Sequence, residues 1–433
     1  MSALKVIKLS DCSKKQREQL TKRSELDVVS VTLRVCKITS DVKEMGDEAL
    51  LDYTEKLDGV KLSVEQLRAS KEEIKAAYDE VGADVVDTIK QAAKAIKKFH
   101  EQQMPSEWLK EIQPGIKAGQ LVRPLARVGA YVPGGLARYP SSVLMSVVPA
   151  RVAGVKETIV CTPPRRDGKV DPVTLVAADV AGADVVFKVG GAQAIAAMAY
   201  GTETIPKVDK VVGPGNIYVV AAKQIVSPDV GVDFAAGPSE VLIVADDSAD
   251  AVCVAADLLA QAEHDPSAAA VLVTTSEKLA EEVCKFVEEQ LEESPRKDIA
   301  LQSLEKYGRV IVARTLAEAI KFANEYAPEH LQLMVERPEQ ALKLVENAGA
   351  IFLGPYSPVA AGDFAVGPNH ILPTGGVARW RSGLSVLDFL RLPTVQSLTE
   401  SGFKRIAGVV EKMAEVEGLP GHAQSIRKRS RRR

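Results

Sequence analysis

From about Leu121 onward, short β-branched runs alternate with alanine-rich stretches of helical length, and this alternation constrains the fold more than any other feature. Strands buried on both faces of a parallel sheet read as continuous apolar runs. Arg127–Tyr131, Thr158–Thr162, Val185–Val189, Lys210–Val212, Val241–Val244, Ala270–Thr274 and Arg309–Val312 are expected as strands of that kind. Val173–Val180, Ala194–Tyr200, Ala249–Glu263 and Glu277–Glu289 are expected as the helices between them. A chain of 433 residues, 46% of them hydrophobic, is long enough for two such sheets. The expected class is therefore α/β, with two Rossmann-like, incomplete doubly wound domains at 121–236 and 237–373. Their junction is placed in Gly231–Ser239, around Ala236-Gly237-Pro238. An N-terminal helical segment (1–120) and a small C-terminal helical tail domain (374–433) complete the organisation.

The first hundred residues read as helices. Ser70-x-x-Glu73 is a capping-box pattern. Val85, Val86, Ile89, Ala93, Ile96 and Phe99 then recur at helical spacing and form one apolar face that needs a partner. His100 continues that face and reads as a structural histidine. Gln113-Pro114-Gly115 marks a break, and helices are expected near Leu384–Leu390 and Gly402–Glu415.

A net charge of −3 argues against a chain built to neutralise nucleic acid or anionic lipid. The basic run Arg427 to Arg433 reads as a solvated tail. No apolar run is long enough to span a bilayer and no secretory leader is visible, so a cytoplasmic location is expected. Five dispersed cysteines without CxxC spacing suggest neither a disulfide framework nor a thiolate metal site.

Histidine is scarce, with five in the chain, so its placement carries information. Gln261 and His264 end an alanine-rich helix at a spacing of three, which puts a carbonyl oxygen and an imidazole on one face, a plausible ligand pair for zinc. Asp363, in a Gly/Ala-rich loop, and His422, in Gly418-Leu419-Pro420-Gly421-His422, are further ligand candidates, although each type also serves turns. Glu329-His330 follows a proline; such a pair either works as a proton relay at a small reactive centre or sits solvated at a helix start. Three glycine turns follow expected strands, at Gly134-Gly135, Gly190-Gly191 and Gly213-Pro214-Gly215. They suit phosphate approach to helix N-termini, yet none matches GxGxxG.

Read together, these fragments resemble the histidinol dehydrogenase family. The resemblance is carried by eight strings in order: Gly129 to Gly135, Lys188 to Ala196, Val212 to Asn216, Ala236 to Glu240, Gln261 to Asp265, Ala327 to Leu331, Gly362 to His370, and Glu417 to His422. It implies Gln261, His264, Asp363 and His422 as ligands of one Zn2+ per site. It implies Ser239, His330 and Glu417 as substrate contacts alongside those ligands, and Glu329 and His330 as the proton-transferring pair. Tyr131, Gln193 and Asn216 match contacts to NAD. The implied reaction is a two-step, NAD-dependent oxidation of L-histidinol to L-histidine. The implied assembly is a homodimer whose C-terminal segments cross over, bringing Glu417 and His422 into the partner's site.

The same positions would serve a relative acting on another primary alcohol on the same scaffold, but Glu417 suits a substrate ammonium. Oxidation through a cysteine thiohemiacetal would need Cys161 or Cys253, and both read as core. A nucleotide-binding module docked on nucleic acid by the basic tail would not explain the matched Gln, His, Asp and Glu positions.

Overall fold

The computed structural model describes residues 4–24, 27–134, 138–234 and 237–431; Gly135, Ala236, Arg432 and Arg433 of the expected motifs and tail lie outside the described residues. Two compact units emerge, one of residues 1–103 and 126–389, the other of 104–125 and 390–433.

The larger unit contains two parallel sheets. The first has the order Val185–Phe187, Glu157–Cys161, Arg127–Tyr131, Lys210–Val212, Gly231–Val232. Successive strands are added outward on one side of Arg127–Tyr131 and then, from Lys210–Val212, on the other, and this switch places a crevice at the carboxyl ends of the two parallel neighbours. The second repeats this pattern with Arg309–Val312, Ala269–Thr274, Glu240–Ala245, His330–Met334 and Ala350–Leu353. An added edge strand, Val6–Lys8, pairs in parallel with Arg309–Val312, so the N-terminal segment is not wholly helical. Both sheets are α/β and doubly wound, as the alternation predicted. Central strands such as Glu240–Ala245 and Ala269–Thr274 are buried along their whole length.

The helix Ala83–Glu101 buries Val86, Ile89, Ala93, Ile96 and His100, and packs on Pro140–Ala153 beside the first sheet. His100 is fully buried, with Nδ1 2.8 Å from the carbonyl of Ile96, and burial lowers its pKa. The capping box at Ser70 forms, with Glu73 accepting from the Ser70 amide at 2.8 Å.

The smaller unit departs from a purely helical tail. Trp108–Gln113, Ile116–Gln120 and Thr394–Leu398 form an antiparallel sheet, and Gln113-Pro114-Gly115 lies at its hairpin turn. Helices Glu400–Val416 and Pro420–Ser430 follow and pack on each other. Among the described residues no helix is long and apolar enough to cross a membrane.

A buried ion pair stabilises the turn at the first sheet's crevice. Lys223 Nζ lies 2.6 Å from Asp233 Oδ1 and also donates to the Gly213 carbonyl, while Asp233 Oδ2 accepts from the Gly213 amide at 2.8 Å. Gly213 has φ 114°, and a Cβ there would collide with the Tyr131 carbonyl. Lys223→Met would leave Asp233, 3% exposed, without its cation. The expected loss is about 3–5 kcal/mol of unfolding free energy. Denaturant titration checks this, and a loss below about 1 kcal/mol would contradict the reading.

Candidate active site

The larger unit holds a cavity of about 280 Å³ between the carboxyl edge of the first sheet and the amino edge of the second. From the first come Tyr139, Ser142, Pro214 and Gly215; from the second come Ser239, Gln261, His264, Glu329, His330 and Asp363. Dispersed in sequence, these candidates thus meet at one place.

Glu329 and His330 open the strand His330–Met334 and are each 4% exposed, so they are neither solvated nor at a helix start. His330 Nδ1 lies 2.9 Å from the carbonyl oxygen of Glu240. A carbonyl only accepts, so Nδ1 carries the proton and Nε2 is a bare acceptor. That Nε2 is buried without a partner among the described residues and stands 3.8 Å from Asp363 Oδ1. Burial holds the imidazole neutral, lowering its pKa to about 4. Glu329 Oε2 accepts from the Glu240 amide at 2.8 Å and lies 3.5 Å from His330 Nδ1. Burial pushes its carboxyl well above the usual range; the Glu240 amide opposes this, and the charges of Glu240 and Asp363 add to it.

Gln261, 4% exposed, is in the last turn of the helix Ala251–Ala262, and His264 follows it, more exposed. Asp257, one turn before Gln261, accepts from Gln332 Nε2 at 2.7 Å beneath this layer. Asp363 sits on a wide helical turn, Gly362–Val366, of the π type often found at functional sites. Its main-chain carbonyl is 3.0 Å from His370 Nδ1, and His370 also lines the cavity.

Among the described residues no group of three His, Cys, Asp or Glu side chains is gathered to hold an ion unaided. The donors available here are an amide, an imidazole and a carboxylate, a set that suits zinc. The charge balance also fits a cation. Burial alone raises the Asp363 carboxyl to about 7, and its neighbour within 4 Å is the neutral His330. Gln261 Nε2 is likewise buried without a partner among the described residues.

On the first sheet, the Tyr131 hydroxyl accepts from the Gly191 amide at 3.1 Å, and burial raises its pKa to about 12. Gln193, 1% exposed, has no partner for either amide atom among the described residues. The Asn216 carbonyl caps the next helix by accepting from Tyr218 and Val219. All three residues thus gather around helix N-termini at the carboxyl edge. Glu417 and His422 belong to the smaller unit and are exposed there. Cys161 is buried, with its thiol pKa pushed up by burial. Cys253 is exposed, not core as expected, because it sits on the outer face of its helix. Neither cysteine lines the cavity.

Two residues behind Glu329 and His330 were not singled out from the sequence as working groups: Glu240, which bonds to both, and Arg23, which bonds to Glu240. Glu240 lay inside the Ser239-Glu240 string; Arg23 had no local signal.

The sequence matches the family model described as histidinol dehydrogenase over residues 21–430. A histidinol dehydrogenase of Methanothermobacter thermautotrophicus is 51% identical over 426 residues, covering 98% of this chain and 100% of that protein. One from Methanocaldococcus jannaschii is 49% identical over 425 residues, covering 98% of each. The crystal structure of histidinol dehydrogenase from Elizabethkingia anophelis matches with a TM-score of 0.96 at 40% identity, covering 99% of this chain and 98% of that one. The chain belongs to the histidinol dehydrogenase family.

Proposed function

We propose that this chain oxidises L-histidinol through the aldehyde to L-histidine, with Glu329 and His330 moving the protons. The observation that carries the reading is the pair itself: a neutral imidazole whose Nδ1 is tied to Glu240, whose Nε2 is bare, and whose neighbour is a buried carboxyl. When bound, a zinc ion on Gln261, His264, Asp363 and His422 would fix the imidazole and amine nitrogens of the substrate, and NAD would take up a hydride in each oxidation.

His330 Nε2 is free to accept the hydroxyl proton as the carbinol carbon is oxidised. Glu329, once ionised, takes a proton from the water that adds to the aldehyde. Its Oε2 bond to the Glu240 amide orients the carboxylate for that task. Glu329 and His330 are buried where they border the cavity, so the proton-transferring groups are withdrawn from bulk water. Ser239 lines the same cavity and is a substrate contact in this reading. Tyr131, Gln193 and Asn216 hold the dinucleotide, for which the unsatisfied Gln193 amide is a waiting donor and acceptor. In a homodimer, Glu417 and His422 complete the site of the second copy, where Glu417 pairs with the substrate ammonium. A cytoplasmic location accords with this biosynthetic chemistry.

The test is kcat/KM for L-histidinol against other primary alcohols, a sulfonated diol included. The proposal expects L-histidinol to be preferred by at least about 100-fold, as a site that pairs and ligates two nitrogens should discriminate. A preference for another alcohol would keep the scaffold and move the substrate.

A further inference from the structure

We infer that Arg23 is a positioning residue for this oxidation, fixing Glu329 and His330 through Glu240. The inference rests on reading that pair as the proton-transferring groups.

Glu240 is the hub behind the pair. Its amide donates to Glu329 Oε2 at 2.8 Å, its carbonyl accepts from His330 Nδ1 at 2.9 Å, and its Oε1 accepts from the Glu329 amide at 3.2 Å. Both proton-transferring side chains therefore take their orientation from one residue. Glu240 is 1% exposed, and a carboxylate so buried does not keep its charge or its place without a cation. Arg23 Nη1 provides it at 2.5 Å from Oε1.

The same guanidinium makes a second attachment. Arg23 Nη2 donates to the carbonyl of Tyr326, and its Cζ lies 3.7 Å from the centroid of the Tyr326 ring. Tyr326 ends the helix Leu316–Tyr326, and the next residue, Ala327, has φ 50°. Among the described residues it is the one non-glycine in the left-handed region, a conformation that strains a residue with a Cβ. That turn delivers Pro328, Glu329 and His330 to the cavity. Arg23 thus ties the start of Glu240–Ala245 to the strained turn before the neighbouring strand His330–Met334. It does not line the cavity, so it acts through Glu240 and the turn. Only a planar fork reaches both acceptors; a lysine ammonium is a point charge with one direction of approach.

Arg23→Lys and Arg23→Ala in the zinc-loaded, full-length enzyme test this, with Glu329→Gln measured beside them. Arg23→Lys is expected to fold with a Tm near that of the parent, lose about 10–100-fold in kcat, and keep KM for L-histidinol within about threefold. Added guanidinium, at a level that leaves the parent's rate unchanged, is expected to restore activity to Arg23→Ala, while methylammonium does not. Should Arg23→Ala fail to fold, the kcat of Arg23→Lys decides alone. A kcat within about twofold of the parent in Arg23→Lys, with L-histidine formation by Glu329→Gln slowed at least about 100-fold, would overturn the positioning role and leave the catalytic pair intact. Full activity in Glu329→Gln would instead remove the reading beneath it.

Discussion

Glu329→Gln is expected to lower the rate of L-histidine formation by about 10²–10⁴-fold, the usual worth of a general base. The amide can still accept from the Glu240 N–H, so the local geometry should survive the change. What it loses is the ability to take a proton from water. The two oxidations should therefore separate: alcohol oxidation continues at a reduced rate through His330, while the aldehyde stalls. Counting products would show NADH per histidinol falling from two towards one, with aldehyde trapped by semicarbazide. His330→Asn should have the opposite signature, a larger loss when the alcohol is supplied than when the aldehyde is. Equal loss of both steps in both variants would contradict the division of labour.

Removing a donor from the proposed metal set should have an effect as large. His264→Asn and Asp363→Asn are each expected to weaken zinc binding by at least about 100-fold and to bring kcat down with it. Metal content after gel filtration reads the first effect directly. Asp363 is the one carboxylate in that set, half-buried beside the neutral His330, so a bound cation would balance its charge. Parent-like zinc content in both variants would place the metal elsewhere.

The sequence revealed elements that are buried on both faces. Arg127–Tyr131, Lys210–Val212 and Arg309–Val312 have the bounds their β-branched runs predicted. The strand His330–Met334 went unread because His-Leu-Gln-Leu-Met contains no β-branched residue; its place between two other strands makes it a strand. Trp108–Gln113 is exposed throughout and mixes charged with apolar side chains, so no buried run marked it. Gln261 and His264 could be paired from helical spacing, a local signal. Asp363 and His330 could be joined to them only through the family resemblance, since nothing local says that a loop and a strand start share a cavity. Arg23 lies 217 residues from Glu240, and contacts of that range leave no trace in a single sequence.

One site, built on Glu329 and His330, is proposed to carry out both oxidations. The most direct measurement is NADH formed per L-histidinol consumed by the zinc-loaded enzyme, with free aldehyde assayed in parallel. Two NADH per substrate and no released aldehyde is the predicted result. One NADH with aldehyde in solution, or no turnover by a folded, zinc-loaded protein, would contradict it.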